Sequence, residues 1–261
     1  MIRVCSLFSG SSGNCTYIET EDTGILLDCG VSMKRILSEL ERIGRGSQNV
    51  KALFITHEHS DHIQSAGPIA RAFKIPVYAT RGTWRAMFGG IGKIDKSLIR
   101  VIDEGTSEFV GDLEVTPFRI YHDAAQPVAY NFKCGGKKLT VATDIGKMDE
   151  AIFLSLSGSD AVILEANHDI KMLENGSYPY SLKQRIRGKF GHLSNDEAAV
   201  TCARLAALGT KTFLLGHLSE ENNRPEIALR AVQSSVEKHC GKTGASVAVL
   251  ERGEKGELIT V

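Results

Sequence analysis

The sequence has no surplus of charge, no paired cysteines and no long apolar run, and each absence closes off a class of function. Its 31 basic and 31 acidic residues give a formal net charge of zero. No global field therefore draws the chain to a polyanion or an anionic membrane, and any nucleic-acid site must be a local patch. The six cysteines, Cys5, Cys15, Cys29, Cys134, Cys202 and Cys240, include no C-x-x-C pair. Most sit in apolar runs, where a thiol packs as a small hydrophobe. That usage speaks against a disulfide framework and for a reducing compartment. No stretch approaches the ~18 apolar residues of a membrane span. Met1 to Gly10 carries one Arg and too short an apolar segment for a secretory signal. The expectation is a cytoplasmic protein with no membrane partner. Low-complexity tracts, repeats and linkers are also missing, which predicts one domain over residues 1–261.

What is present reads as a layered α/β chain with one contiguous core. Short apolar, β-branched runs bounded by Gly, Asp or Asn predict strands at 3–8, 16–19, 24–27, 52–55, 113–120, 128–134, 139–142, 161–164, 212–215 and 246–250. Met33, Ile36, Leu37, Leu40 and Ile43 make one helical stripe, with Ser32 as N-cap and Gly44 as stop. Ser194 to Glu197 has capping-box spacing for a helix running to Leu208. Another helix is expected from Pro225 to His239, where His239 complements the C-terminal dipole. The first third reads as mostly strands.

The chemistry concentrates in Thr56-His57-Glu58-His59-Ser60-Asp61-His62, directly after an apolar strand. In extended chain, residues two apart point to the same side, so His57 and His59 can grip one ion. The following turn swings Asp61 and His62 toward a second. Imidazole and carboxylate without thiolate suit Mn²⁺ or Zn²⁺, with Fe²⁺ also compatible. Two ions need more donors, and His122, Asp144 and His217 stand just beyond the strands at 113–120, 139–142 and 212–215. Open α/β sheets build their crevices at such carboxyl ends.

The H-x-H-x-D-H spacing at residues 57–62, followed in order by the later single residues, resembles the metallo-β-lactamase superfamily. The resemblance implies a four-layer αββα sandwich and two divalent metal ions. His57, His59 and His122 would hold one ion, Asp61, His62 and His217 the other, and Asp144 would bridge them. A hydroxide shared by such ions is ionised near neutral pH and attacks phosphorus or a carbonyl carbon. The thioesterase branch continues as D-H-x-G-G, whereas His62 is followed by Ile63-Gln64-Ser65. Only residues 145–216 separate Asp144 from His217, too few for a β-CASP insert. Glu165 and His192 resemble the Glu–His proton relay of the transfer-RNA 3′-end nuclease, and with Asp61 they are the candidate catalytic residues.

A finer resemblance, to the YycJ (WalJ) family, rests on several motifs. They are Ser9-Gly10-Ser11-Ser12-Gly13-Asn14, Glu165-Ala166-Asn167-His168, Gly191-His192-Leu193-Ser194-Asn195 and Gly216-His217-Leu218-Ser219. It implies a 5′→3′ exonuclease on double-stranded DNA. Two segments are candidate substrate contacts. The turn around Ser11, Ser12 and Asn14 could cup a phosphate with backbone N–H groups. Residues 171–189 hold Lys171, Lys183, Arg185, Arg187 and Lys189 against Glu174, with Tyr178 and Tyr180 interleaved. Cations pair with phosphates and rings stack on bases. A small-molecule (cyclic nucleotide or cyclic phosphate) phosphodiesterase of the same fold is the rival enzyme reading. A metal-binding regulatory protein is the rival outside catalysis.

Overall fold

A computed structural model describes residues 1–241, 244–250 and 256–261. The strands are β1 (Arg3–Phe8), β2 (Cys15–Glu19), β3 (Gly24–Leu27), β4 (Val50–Phe54), β5 (Val77–Thr80), β6 (Ile99–Ile102) and β7 (Glu108–Val110), continuing with β8 (Leu113–Arg119), β9 (Val128–Cys134), β10 (Lys137–Ala142), β11 (Ala161–Glu165), β12 (Thr212–Gly216), β13 (Ser246–Val249) and β14 (Ile259–Thr260). They form two sheets, ordered β14-β1-β2-β3-β4-β5-β6 and β13-β12-β11-β10-β9-β8-β7. Strands β3 to β6 run parallel, as do β10 to β13, and antiparallel pairs complete each sheet.

Strand alternation decides how the layers stack. In β4, Ala52 and Phe54 face the second sheet, packing with residues such as Tyr130, Val141 and Ile163, while Leu53 points outward. In β11, Ala161 and Ile163 face inward and Val162 and Leu164 outward. Both faces of the central strands are buried, so they read as unbroken apolar runs rather than alternating ones.

Helices cover the two outer faces. On the first sheet lie α1 (Met33–Arg42), the one-turn α2 (Ser60–Ile63), α3 (Ala66–Phe73) and α4 (Arg81–Met87), through Ile36, Leu40, Ile69 and Trp84. After them in the chain come α5 (Glu150–Leu156), α6 (Ile170–Asn175), α7 (Tyr180–Arg187), α8 (Asn195–Ala207) and α9 (Pro225–Cys240). Of these, α5, α8 and α9 cover the second sheet through Phe153, Cys202 and Val232. The αββα sandwich is therefore as expected, with one correction. The expected contiguous core is three apolar layers, because each two-faced sheet separates the residues on its sides. The first third also carries four helices beside its strands.

The foreseen helix ends hold in part. Ser194 makes the full capping box with Glu197, and Pro225 opens α9. Ser32 stands at the N-cap of α1 but makes no side-chain cap. His239 lies in the last turn of α9 and donates from Nδ1 to Ser235 O at 2.8 Å. No helix among the described residues is long and apolar enough to cross a membrane.

Candidate metal centre

The site forms where strands of both sheets end. After β4, backbone bonds fold residues 55–62 into a loop against the segment after β3. Asn14 N and Cys29 N donate to the carbonyls of Asp61 and His62, each at 2.8 Å. Gly30 permits this contact, since a Cβ there would overlap Asp61 O. Among the described residues, Asp28, Lys74, Asp144 and His217 are the non-glycine residues with positive φ. Asp28, Asp144 and His217 end β3, β10 and β12, and their φ values of 58°, 59° and 53° turn each side chain into the site. Non-glycine residues held there cost of order 1–3 kcal/mol each, and such strain collects at functional sites.

The ring nitrogens converge. His59 Nδ1 lies 3.1 Å from His57 Nε2 and 3.3 Å from His122 Nε2. Burial, then the neighbouring His62, drives the proton affinity of His57 well below the ordinary histidine value, and burial lowers that of His122. Neutral imidazoles facing one another offer lone pairs to a common point. Among the described residues, four groups have donor atoms within 4.8 Å of one another: His57, His59 and His122; Asp61, His62 and His217; His57, His62 and Asp144; and Asp144, Glu165, His192 and His217. Asp144 Oδ2 and His217 Nε2 are buried without a hydrogen-bond partner. Buried polar atoms are seldom left so, and divalent cations fit this donor set, as expected from the sequence.

His57, His62, His122, His192 and His217 are each held by a bond from Nδ1 on the other side of the ring. His62 Nδ1 meets Asp28 Oδ2 at 2.8 Å, and Thr56 N and Oγ1 donate to the same carboxylate at 2.9 Å each. His57 Nδ1 meets Thr56 Oγ1 at 3.0 Å, and His122 Nδ1 meets Gly191 O at 3.2 Å. Glu165 Oε1 takes both His217 Nδ1 at 2.7 Å and His192 Nδ1 at 2.8 Å, while Oε2 accepts from Ile145 N and Leu193 N. Such outer bonds fix tautomer and ring orientation. Burial opposes the charge on Glu165, yet the two histidines pull its pKa down to about 2. Burial likewise opposes protonation of His192, but Glu165 and Asp144 hold its pKa up to about 9.

Glu165 is fully buried, with both oxygens engaged, so it acts through the two histidines rather than on a substrate. His192 keeps Nε2 free and lines a cavity of about 270 Å³ together with His59, Asp61, Asp144, Tyr178 and Arg185. Asp28 was missed from sequence, although it ends a predicted strand as Asp144 and His217 do. Asn167 was missed as well. It lines the same cavity and donates from Nδ2 to His217 O at 3.0 Å.

The predicted substrate contacts divide. Ser11 lines the metal cavity, and Ser12 lies in a neighbouring hollow on the far side of Asp61. Asn14 is buried, with Nδ2 3.0 Å from His62 Nε2, so it faces the ligands and not a substrate. The expected cup of backbone N–H groups is also largely spent: Gly10 N donates to Asn14 Oδ1, Gly13 N to Gly10 O and Asn14 N to Asp61 O. Of that segment's basic residues, Arg185 alone lines the cavity, where Asp123 holds its Nε at 2.6 Å. Lys183 donates to the carbonyls of Glu174 and Gly176, and Arg187 pairs with Glu174. These two bind α7 to the end of α6, since α6 has unpaired carbonyls there and one acidic side chain.

Comparison with known proteins agrees with this geometry. Residues 9–217 match the metallo-β-lactamase superfamily model. Exodeoxyribonuclease WalJ of Streptococcus pneumoniae serotype 2 is 41% identical over 224 residues, covering 85% of this chain and 83% of its own. Exodeoxyribonuclease YycJ of Bacillus anthracis is 38% identical over 232 residues, covering 89% and 88%. Among solved structures, Zn²⁺-bound PqqB from Methylobacterium extorquens superposes with a TM-score of 0.77 at 16% identity, over 99% of this chain and 100% of that one. The chain belongs to the metallo-β-lactamase superfamily of hydrolases and, within it, to the family of the exonucleases WalJ and YycJ.

Proposed function

We propose that this chain is a metal-dependent exonuclease that degrades double-stranded DNA in the 5′→3′ direction with two divalent cations. One observation carries the reading: two complete sets of metal donors and the Glu165–His192 pair converge on a single cavity. His57, His59 and His122 would hold one ion, and Asp61, His62 and His217 the other. Asp144, which falls in two further donor groups with residues of both sets, would lie between them. The donors suit manganese or zinc, and iron(II) shares the same preferences. When bound, such ions supply Lewis acidity toward a phosphodiester and activate water near neutral pH.

The remaining chemistry belongs to the chain. A sugar oxygen leaves poorly unless it receives a proton, and a positioned histidine contributes roughly 10²–10⁴ to such a step. Glu165 takes the Nδ1 side of His192 and raises its proton affinity. The imidazolium therefore carries a proton on Nε2, the nitrogen available to the cavity. Arg185, oriented by Asp123, supplies a cation at the cavity wall for a phosphate oxygen. Ser11 is the remaining polar contact from the N-terminal turn.

DNA as substrate follows the exodeoxyribonuclease names of the two relatives, and duplex preference and polarity follow the family resemblance. All six thiols are free, which supports the cytoplasmic reading. One observation favours the small-diester alternative: Lys183 and Arg187 are engaged within the protein instead of lining the cavity. Metal-reconstituted protein on end-labelled DNA and RNA, single- and double-stranded, separates the two. The proposal expects nucleotides released from the 5′ end of duplex DNA. Rapid turnover of a cyclic phosphodiester with intact DNA would overturn it.

A further inference from the structure

We propose that Tyr121, Phe190, Lys147 and Lys189 form a platform on which nucleobases of the DNA strand stack as it enters the metal cavity. The proposal rests on the polymer reading above and adds a binding surface to it. The rings of Tyr121 and Phe190 lie 6.2 Å apart between centroids, tilted by 56°. Lys189 Nζ stands 4.7 Å from the Tyr121 ring and 5.3 Å from that of Phe190, and Lys147 Nζ stands 5.8 Å from Tyr121. Phe190 is 49% exposed, an apolar ring left at the surface beside two exposed cations. Asp149 accepts from the hydroxyl of Tyr121, and exposed Arg119 adds a further cation.

Each member is one to three residues from a site residue: Tyr121 from His122, Phe190 from His192, and Lys147 from Asp144. The backbone fixes the platform to the metal cavity. Gly146 N donates to Tyr121 O at 2.7 Å, and Asp123 N donates to Phe190 O at 3.1 Å. Gly146 packs directly on the backbone of residues 189–191, where any Cβ would collide with Gly191 N and Lys189 O. The rings thus keep a fixed position relative to His122 and His192.

Relative magnitudes favour a base as occupant of the ring face. An exposed lysine over a ring is worth a factor of roughly two to five in equilibrium. A base on an aromatic ring is worth roughly five- to 150-fold. A base would displace the ammonium from the ring, and the freed ammonium would meet a phosphate of the same strand. A small diester carries its single negative charge on the cleaved phosphate and offers no neighbouring phosphate to the freed ammonium.

The test compares DNA carrying a single-stranded end with bis(p-nitrophenyl) phosphate. For Phe190→Leu, which keeps an apolar side chain without a π face, KM for DNA should rise roughly ten- to hundredfold more than KM for the small diester. Phe190→Trp should restore it. Lys147→Met with Lys189→Met should lower the slope of log affinity against log salt by roughly 0.7 per lost contact on single-stranded ends. Because both lysines are exposed, this double variant decides the matter if Phe190→Leu does not fold. Unchanged DNA kinetics and salt slope, or equal losses on both substrates, would overturn the platform. Wild-type protein that hydrolyses the small diester but no DNA would instead overturn the polymer reading.

Discussion

Asp28 offers a sharp test of how the proposed site of Asp61, His62 and His217 is organised. Its carboxylate is buried and accepts from Thr56 N and Oγ1 while facing His62 Nδ1 at 2.8 Å. In that arrangement Nδ1 carries the proton and Nε2 presents its lone pair to the ion. Asp28→Asn keeps the volume, and its Oδ1 can still accept from Thr56 N. Its Nδ2, however, would bring a donor to His62 Nδ1, favouring the tautomer in which Nε2 carries the proton and cannot ligate. Outer-shell substitutions of this kind cost roughly 10- to 100-fold in metal affinity, or about 1.4–2.8 kcal/mol. Stability should fall less than for Asp28→Ala, which strands buried donors at roughly 1–3 kcal/mol each.

The assay is competition with a chromophoric chelator, resolving two binding steps, alongside thermal unfolding of the metal-free variants. Asp28→Asn should weaken one step and leave the other, because His57, His59 and His122 do not touch Asp28. Wild-type affinity at both steps would refute the tautomer argument. An equal loss at both would mean that the loop as a whole had shifted.

The remaining predictions concern Asp144, His192 and Glu165. Asp144→Ala should lose both ions in elemental analysis, and full retention would remove Asp144 from its bridging place. His192→Ala should slow DNA cleavage by roughly 10²–10⁴ with metals retained. An ester with a nitrophenolate leaving group should suffer much less, and equal losses would exclude the proton donor. Glu165→Gln bears on pH. His192 must be protonated to donate, so the rate falls as pH rises through its pKa. Glu165 is a cause of the upward shift of that pKa, so the alkaline limb of kcat should move to lower pH in the variant. A limb that stays in place would separate Glu165 from the proton transfer.

The sequence made the candidate metal donors legible because they crowd into residues 57–62 or follow apolar strands, both of which are local patterns. It also exposed the Glu165–His192 pair, which stands at a strand end and a helix entrance. Asp28 escaped notice because a lone aspartate after a strand looks like turn chemistry until Thr56 and His62 fold against it. Lys183 and Arg187 illustrate the converse. Charge along the chain says nothing of whether a carbonyl or a carboxylate three-dimensionally nearby has already claimed it. Strands β7 and β14 went unseen because they are three and two residues long, below the length at which period-two patterning separates from noise, and the four-residue β5 and β6 were also unseen.

The left-handed backbone at residues 28, 144 and 217 is held differently at each of the three positions. Each caps a strand, and each would relax toward ordinary strand or turn geometry if its side chain had nothing to hold. Asp28 is held by Thr56 and His62, and His217 by Glu165 and Ser9, whose hydroxyl accepts from His217 N at 2.9 Å. Asp144 differs, since among the described residues its Oδ2 has no hydrogen-bond partner and its carboxylate makes only longer approaches, 3.4 Å to His62 and His217, 3.7 Å to His192 and 3.8 Å to His122. The strained backbone at Asp144 thus depends most on what the donor cluster binds. Cation binding should protect the amides around residue 144 from hydrogen exchange more than those around residue 28, where protein bonds already hold the turn.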